Sequence, residues 1–140
     1  GIMYSTCREH GYNVLALAQH LDDLAESFLM SAFHQGRLGT MKAHYVNDAG
    51  DLRIIRPLAY ARETQTSAFA DSAKLPIIPD SCPACFSAPT QREHMKTLLA
   101  REEKGHPNLF ANLLHAMRPL MGERVSMDST PFARLKRTLP

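Results

Sequence analysis

The order of residues 13 to 33 restricts the fold of this chain more than any other stretch. Asn13-Val14-Leu15-Ala16-Leu17-Ala18 is a near-continuous apolar run. That pattern suits a strand buried on both faces, as in a parallel sheet, although so short a run also fits a buried helical segment. After Gln19-His20, the residues Leu21, Leu24, Ala25, Phe28, Leu29, Ala32 and Phe33 recur at three- and four-residue steps, which predicts an amphipathic helix. Asp22, Asp23 and Glu26 crowd its first turns, where the helix dipole favours negative charge. A strand running directly into a helix is the building step of an α/β fold, and α/β is the class expected.

Upstream, Ile2 to His10 reads as a short helix stopped by Gly11. Gly1-Ile2-Met3-Tyr4 carries no initiator methionine and runs straight into that helix, so the chain is expected to begin inside a domain. Downstream, Met41 to Val46 and Leu52 to Arg56 read as two strands joined through Asn47-Asp48-Ala49-Gly50 as a hairpin, with Pro57 ending the second. Ala61 to Ala73 follows as a helix with Phe69 and Ala70 inward. Leu75-Pro76-Ile77-Ile78-Pro79 is then held extended by its prolines. Pro89 suits the first turn of a helix running to about Lys104 with Met95, Leu98 and Leu99 on one face, and a last helix covers Asn108 to about Met117. Beyond Arg118 the periodicity dissolves.

At 140 residues the chain has the length of one domain. Its net charge of +2 is too small to argue for a polyanionic partner by itself, but all of it resides after residue 118, where Arg124, Arg134, Lys136 and Arg137 face only Glu123 and Asp128. Three cysteines and no secretory leader argue against a disulfide scaffold and for a reducing compartment. No apolar run approaches the ~18 residues of a membrane span. A soluble cytoplasmic protein is expected.

Two places carry candidate chemistry. Gln19-His20-Leu21-Asp22-Asp23 lies at the carboxyl end of a strand and the start of a helix, where open α/β sheets bind ligands. Adjacent carboxylates there can hold Mg²⁺ directly or through its waters, and His20 can donate to a phosphate or ribose oxygen. Alternatively Asp22 and Asp23 merely cap the helix and face water. Arg56 ends another strand and can reach the same edge with its phosphate-binding fork, or it is simply solvated. The second place is Pro79-Asp80-Ser81-Cys82-Pro83-Ala84-Cys85-Phe86. Two thiols two residues apart in a proline-framed turn make half of a zinc site, a redox pair, or a site shared between two chains. Cys7, on the first helix, is read as incidental.

Taken in order, Leu15 to Leu29, Ile55-Arg56-Pro57-Leu58, Cys82-Pro83-Ala84-Cys85-Phe86 and Pro107-Asn108-Leu109-Phe110 resemble the tRNA 2-thiocytidine synthetase family. These are PP-loop ATPases of the adenine nucleotide α-hydrolase superfamily, and the resemblance covers roughly residues 1 to 118. It implies a Rossmann-like PP-loop domain, with its later part over residues 1–80 and a cysteine segment with C-terminal helices over 81–118; the lost periodicity and basic charge beyond it read as a flexible basic tail over 119–140. The resemblance further implies adenylation of an anticodon-loop cytidine with Mg²⁺ and ATP, then sulfur insertion at a [4Fe-4S] cluster. In that scheme Gln19, His20, Asp22 and Asp23 border the ATP and Mg²⁺ site with Arg56 beside it, Asp22 and Asp23 being the catalytic candidates. Cys82 is a cluster ligand, with Cys85 its less certain partner. The implied partners are tRNA, a sulfur donor such as a cysteine desulfurase, and a second copy in a homodimer.

The chain departs from that family in three respects. It contains no Ser-Gly-Gly-x-Asp-Ser phosphate loop, no earlier Cys-x-x-Cys, and it has Ala18 where glycine commonly precedes the Gln-His step. The chain therefore resembles a C-terminal portion, and without the backbone N–H cradle for pyrophosphate it is expected to be inactive alone. The competing expectation is a non-catalytic fragment that binds metal or dimerises through Cys82 and Cys85.

Overall fold

The computed structural model describes residues 1–76 and 90–122. Cys82, Cys85 and the basic tail lie outside the described residues. Five helices and three strands run in the order α1 (Ile2–Glu9), β1 (Val14–Ala16), α2 (Leu21–Gln35), β2 (His44–Val46), β3 (Arg53–Ile55), α3 (Glu63–Ser72), α4 (Gln91–Gly105) and α5 (Leu109–Met121). The α/β class holds, and so do the order and kind of the expected elements.

The strands form one sheet in the order β1-β3-β2, with β3 parallel to β1 and antiparallel to β2. The hairpin is closed by Asn47, whose side-chain oxygen accepts the N–H groups of Asp51 and Leu52 at 3.1 Å each. Register puts Leu15, Ile54 and Tyr45 side by side. This row packs under α1, where Cys7, Leu52 and Ile54 are buried and Tyr4 and Leu17 join them. Cys7 is thus a core residue, consistent with an incidental role.

The opposite face of the sheet carries the rows Val14–Arg53–Val46 and Ala16–Ile55–His44, by the alternation of side chains along a strand. Five of these six are exposed, Val14 at 44%. The apolar run at residues 13–18 therefore is not buried on both faces as expected. Among the described residues β1, three residues long, forms one edge of the sheet and has α1 packed against one side.

The larger core lies between helices. Leu21, Leu24 and Ala25 of α2 meet Leu99 of α4 and Phe110, Met117 and Met121 of α5, with Ala59 from the turn after β3. α2 ends as its sequence dictates, with Gly36 at φ +63° supplying the left-handed C-cap that returns its N–H to the Ser31 carbonyl. Thr90 caps α4 by accepting the Glu93 N–H.

Three expectations about helix faces and ends fail. Phe33 is 59% exposed, because it falls in the last turn of α2, beyond the cluster made by the earlier turns. Phe69 is exposed and α3 buries no residue at all, since it is attached by polar contacts at its start. α5 continues past Arg118 through Pro119 to Met121. Pro119 has no N–H to return to the His115 carbonyl, yet the helix runs on, and Met121 is buried beyond it with its carbonyl accepting the Ala43 N–H at 2.6 Å.

Two substitutions separate the buried helix layer from the open sheet face. Leu24→Ala is expected to cost about 2–5 kcal/mol in urea unfolding, the range for emptying a packed leucine site. Val14→Ala is expected to stay within about 0.5 kcal/mol; a comparable loss at both positions would contradict the exposure of β1.

Candidate functional site

Because β1 and β3 are parallel neighbours, their carboxyl ends lie side by side, and the residues that follow each strand meet there. Arg56, next after β3, donates from Nε to Gln19 Oε1 at 3.0 Å and from a terminal nitrogen to the Lys42 carbonyl at 2.6 Å. Its backbone N–H is held by the Ala43 carbonyl. The guanidinium also sits 5.9 Å from the centroid of the Tyr45 ring, and the Tyr45 hydroxyl lies 3.4 Å from that of Tyr4. Two of the expected edge residues, Gln19 and Arg56, are therefore brought into contact, and Arg56 is fixed from three directions.

His20 is the N-cap of α2. Its Nδ1 lies 3.4 Å from the Asp23 N–H, while the His20 N–H donates to Asp23 Oδ2 at 3.0 Å, a reciprocal capping box. Asp22 has a different task. Its carboxylate takes the Arg62 guanidinium, with Nε 3.2 Å from both oxygens, and accepts the Glu63 N–H at 2.7 Å. Arg62 occupies the N-cap position of α3 and, having only donors, cannot cap it. The acceptor for the first turn of α3 comes instead from Asp22 on another helix.

Arg62 is the residue that the sequence did not bring forward. Besides Asp22 it binds Glu103 of α4 with two nitrogens, at 2.7 and 3.1 Å, and its Cζ stacks 3.3 Å from the centroid of the Phe110 ring in α5. Burial works against its charge, but the bond to Glu103 and the charge of Asp22 more than offset this and raise its pKa. The same bond holds the Glu103 carboxyl below its ordinary range. Arg92 of α4 plays a parallel role: it reaches Asp23 at 3.3 Å, Glu26 at 3.0 Å and the Ser27 hydroxyl at 3.3 Å. Burial pushes the Glu26 carboxyl up despite that arginine. The only hint of Arg62 in the sequence is a cation five residues after a strand-ending proline, which carries no pattern of its own.

The three carboxylates at the start of α2 are thus held by two arginines of the later chain, Asp22 by Arg62 and both Asp23 and Glu26 by Arg92. This bears on magnesium. Each oxygen of Asp22 and Asp23 already has a donor, and no group of three His, Cys, Asp or Glu side chains among the described residues is arranged to hold a metal ion. As arranged, Asp22 and Asp23 do not fit a Mg²⁺ site. The cluster expected on Cys82 and Cys85 falls outside the described residues. Gln19, His20 and Arg56 together offer an amide, an imidazole and a guanidinium at one strand edge, a set suited to the oxygens of a nucleotide.

An α/β sheet with a polar ligand edge of this kind is shared by many nucleotide-binding proteins, and comparison narrows it. The chain belongs to the PP-loop domain family (ATP_bind_3), whose profile matches residues 1–102. It is 38% identical over 117 residues to a tRNA-cytidine(32) 2-sulfurtransferase of Geobacter sulfurreducens, covering 84% of this chain and 46% of that protein. It is 42% identical over 118 residues to a protein of the same name from Rhizobium etli, covering 84% and 40% respectively. The chain thus spans less than half the length of these relatives. Its fold superposes with a TM-score of 0.69 on the U34-tRNA thiolase NcsA from Methanococcus maripaludis, a structure that contains a [4Fe-4S] cluster. That match has 21% sequence identity and covers 86% of this chain and 40% of the other. Among the described residues no helix is long and apolar enough to cross a membrane.

Arg62→Ala is expected to destabilise the chain by about 2–3 kcal/mol, because it leaves the buried Asp22 carboxylate with one donor fewer. Arg62→Lys recovers only part of this in chemical unfolding, since an ammonium cannot bond both carboxylates in the same plane.

The two glutamates give pH dependences of opposite sign. Glu26, raised on folding, contributes stability below its unfolded pKa near roughly 4.3 that is lost as pH rises through the folded value. Glu103, lowered on folding, contributes stability above roughly 4.3 that is lost as pH falls through its folded value. Relative to wild type, Glu26→Gln should therefore gain in urea midpoint between pH 4 and 7, whereas Glu103→Gln should lose.

Proposed function

We propose that this chain acts as part of an enzyme for ATP-dependent 2-thiolation of cytidine in tRNA, in the manner named for its sulfurtransferase relatives, and is inactive by itself. The observation that carries the reading is the junction of Gln19 and Arg56 at the carboxyl ends of two parallel strands. It is supported by the PP-loop match over residues 1–102 and by the names of the relatives. Bound ATP supplies the adenylyl group that makes the cytidine oxygen a leaving group, and a [4Fe-4S] cluster held by Cys82 and Cys85, with further thiolates, supplies the sulfur centre.

In this reading Arg56 binds phosphate oxygens through the terminal nitrogen of its guanidinium that is committed to neither Gln19 nor the Lys42 carbonyl, and those two partners fix its orientation. His20 borders the same nucleotide. Asp22 and Asp23 act as positioning residues: Asp22 sets the start of α3 through Arg62 and Glu63, and Asp23 sets the His20 ring. Magnesium that accompanies ATP is then held by groups other than these two carboxylates. The remaining parts of the proposal are a cytoplasmic setting, a sulfur donor such as a cysteine desulfurase, and a homodimer. The domain division proposed is 1–80 for the PP-loop part and 81–121 for the cysteine segment and helices, the end of α5 at Met121 replacing the expected boundary at 118, with the basic residues Arg124, Arg134, Lys136 and Arg137 beyond it meeting RNA.

The test is made in the organism that carries the gene. Its deletion is expected to remove 2-thiocytidine from total tRNA, measured by nucleoside mass spectrometry, and restoring the gene with Arg56→Ala is expected to return less than about a tenth of the wild-type level. Unchanged 2-thiocytidine on deletion would end the reading. Anaerobic reconstitution with iron and sulfide, followed by absorption and EPR spectra, is expected to give cluster signals that Cys82→Ser abolishes. Tetrahedral zinc shared between two chains would instead mark a metal-binding module without catalysis.

A further inference from the structure

We infer that the capping geometry of α2 fixes the tautomer of His20, so that its ring meets any ligand at the strand edge as a hydrogen-bond donor through Nε2 and not as a base. The inference concerns the same edge as the nucleotide reading but rests on geometry that does not depend on nucleotide.

Nδ1 of His20 has two possible neighbours. It lies 3.4 Å from the Asp23 backbone nitrogen and 3.3 Å from Asp23 Oδ2, with Asp22 Oδ2 further off at 3.8 Å. In the neutral ring one nitrogen carries the proton and the other accepts. If Nδ1 carried it, the bond would go to a carboxylate that is already supplied: Asp23 Oδ2 takes the His20 N–H, Asp23 Oδ1 takes Arg92, and Asp22 takes Arg62 and the Glu63 N–H. The Asp23 N–H would then have no acceptor among the described residues, being one of the first-turn donors that a helix leaves open. With Nδ1 unprotonated, every one of these groups is paired. The balance of donors and acceptors therefore selects the Nε2–H tautomer.

Nε2 has no hydrogen-bond partner among the described residues, on a side chain that is 19% exposed. It is the ring atom left for a ligand, next in sequence to Gln19, which binds Arg56. A ligand oxygen with lone pairs, such as that of a phosphate or a hydroxyl, is the class it recognises. Withdrawing a proton from substrate would require Nε2 as acceptor, and so would require Nδ1 to give up the cap.

Long-range ¹⁵N–¹H correlation spectra of the histidine rings, recorded on the chain at pH 8.5, above the ordinary imidazole range near roughly 6.5, read the tautomer directly. The His20 signals are assigned by their loss in His20→Asn. The expected result is an unprotonated Nδ1 and a protonated Nε2; an Nδ1–H ring, or an even mixture of the two, overturns the inference. Thermal melting gives a second reading through two isosteres. Asparagine places an acceptor where Nδ1 stands, so His20→Asn should melt within about a degree of wild type. Glutamine places its amide where Nε2 stands and loses the cap, so His20→Gln should melt lower by roughly 4 °C. The reverse order would show that Nδ1 is not the cap acceptor. Neither measurement uses nucleotide, so a failure of the nucleotide reading leaves this result standing, and the converse.

Discussion

The contact on which the described structure most depends is the pairing of Asp22 with Arg62. One carboxylate does two things: it accepts the guanidinium and it caps the first turn of α3 through the Glu63 N–H. One guanidinium joins three helices, α2 through Asp22, α4 through Glu103 and α5 through the face of Phe110. A carboxylate 9% exposed, left alone, would carry a heavy desolvation cost. With both partners present, the pair fixes where α3 begins and which way α4 and α5 lie against α2. The order of events is thus inverted from what a sequence reader assumes. Acidic residues at the head of α2 serve as sockets for basic residues that arrive 40 and 69 positions later, Arg62 at Asp22 and Arg92 at Asp23.

What was legible in the sequence follows from range. Local signals are legible: the three- and four-residue spacing of α2, the Gly11 stop, the turn at Asn47 to Gly50, and the apolar face of α4 at Met95 and Leu99. The family resemblance, carried by Gln19-His20 and Ile55-Arg56-Pro57, leads to the same PP-loop class that the profile match establishes. The misreadings share one cause, the presence or absence of a distant partner. Val14 looks like a buried strand residue because Leu15 and Leu17 beside it are apolar, yet burial depends on what lies across the sheet face. Phe33 and Phe69 look inward by chemistry, but nothing among the described residues packs over them.

The candidate site was legible in part for the same reason. Gln19, His20 and Arg56 could be nominated from strand ends alone, since strand ends of a parallel pair must converge. Arg62 could not. It has no periodic neighbour, it stands where a serine or aspartate would ordinarily cap a helix, and its role exists only once Asp22, Glu103 and Phe110 are assembled around it. The separation of Asp22 from Asp23 into different tasks was equally out of reach, because adjacent identical residues are distinguished only by the directions in which a helix turns them.

One feature of the packing reaches further than the fold. The described residues hold two distinct apolar clusters, one under α1 against the sheet and one among α2, α4 and α5. The backbone bonds from the Leu21 N–H to the Ala61 carbonyl and from the Ala43 N–H to the Met121 carbonyl both lie on the side of the second cluster, against which Ala43 itself packs. The two clusters share no buried residue, and the seam between them lets the sheet unit and the helix unit open each with its own free energy. Arg56 belongs to the first unit and His20, at the head of α2, to the second. Any ligand bonded to both residues spans the seam, and its binding energy is then spent partly on welding two folding units into one.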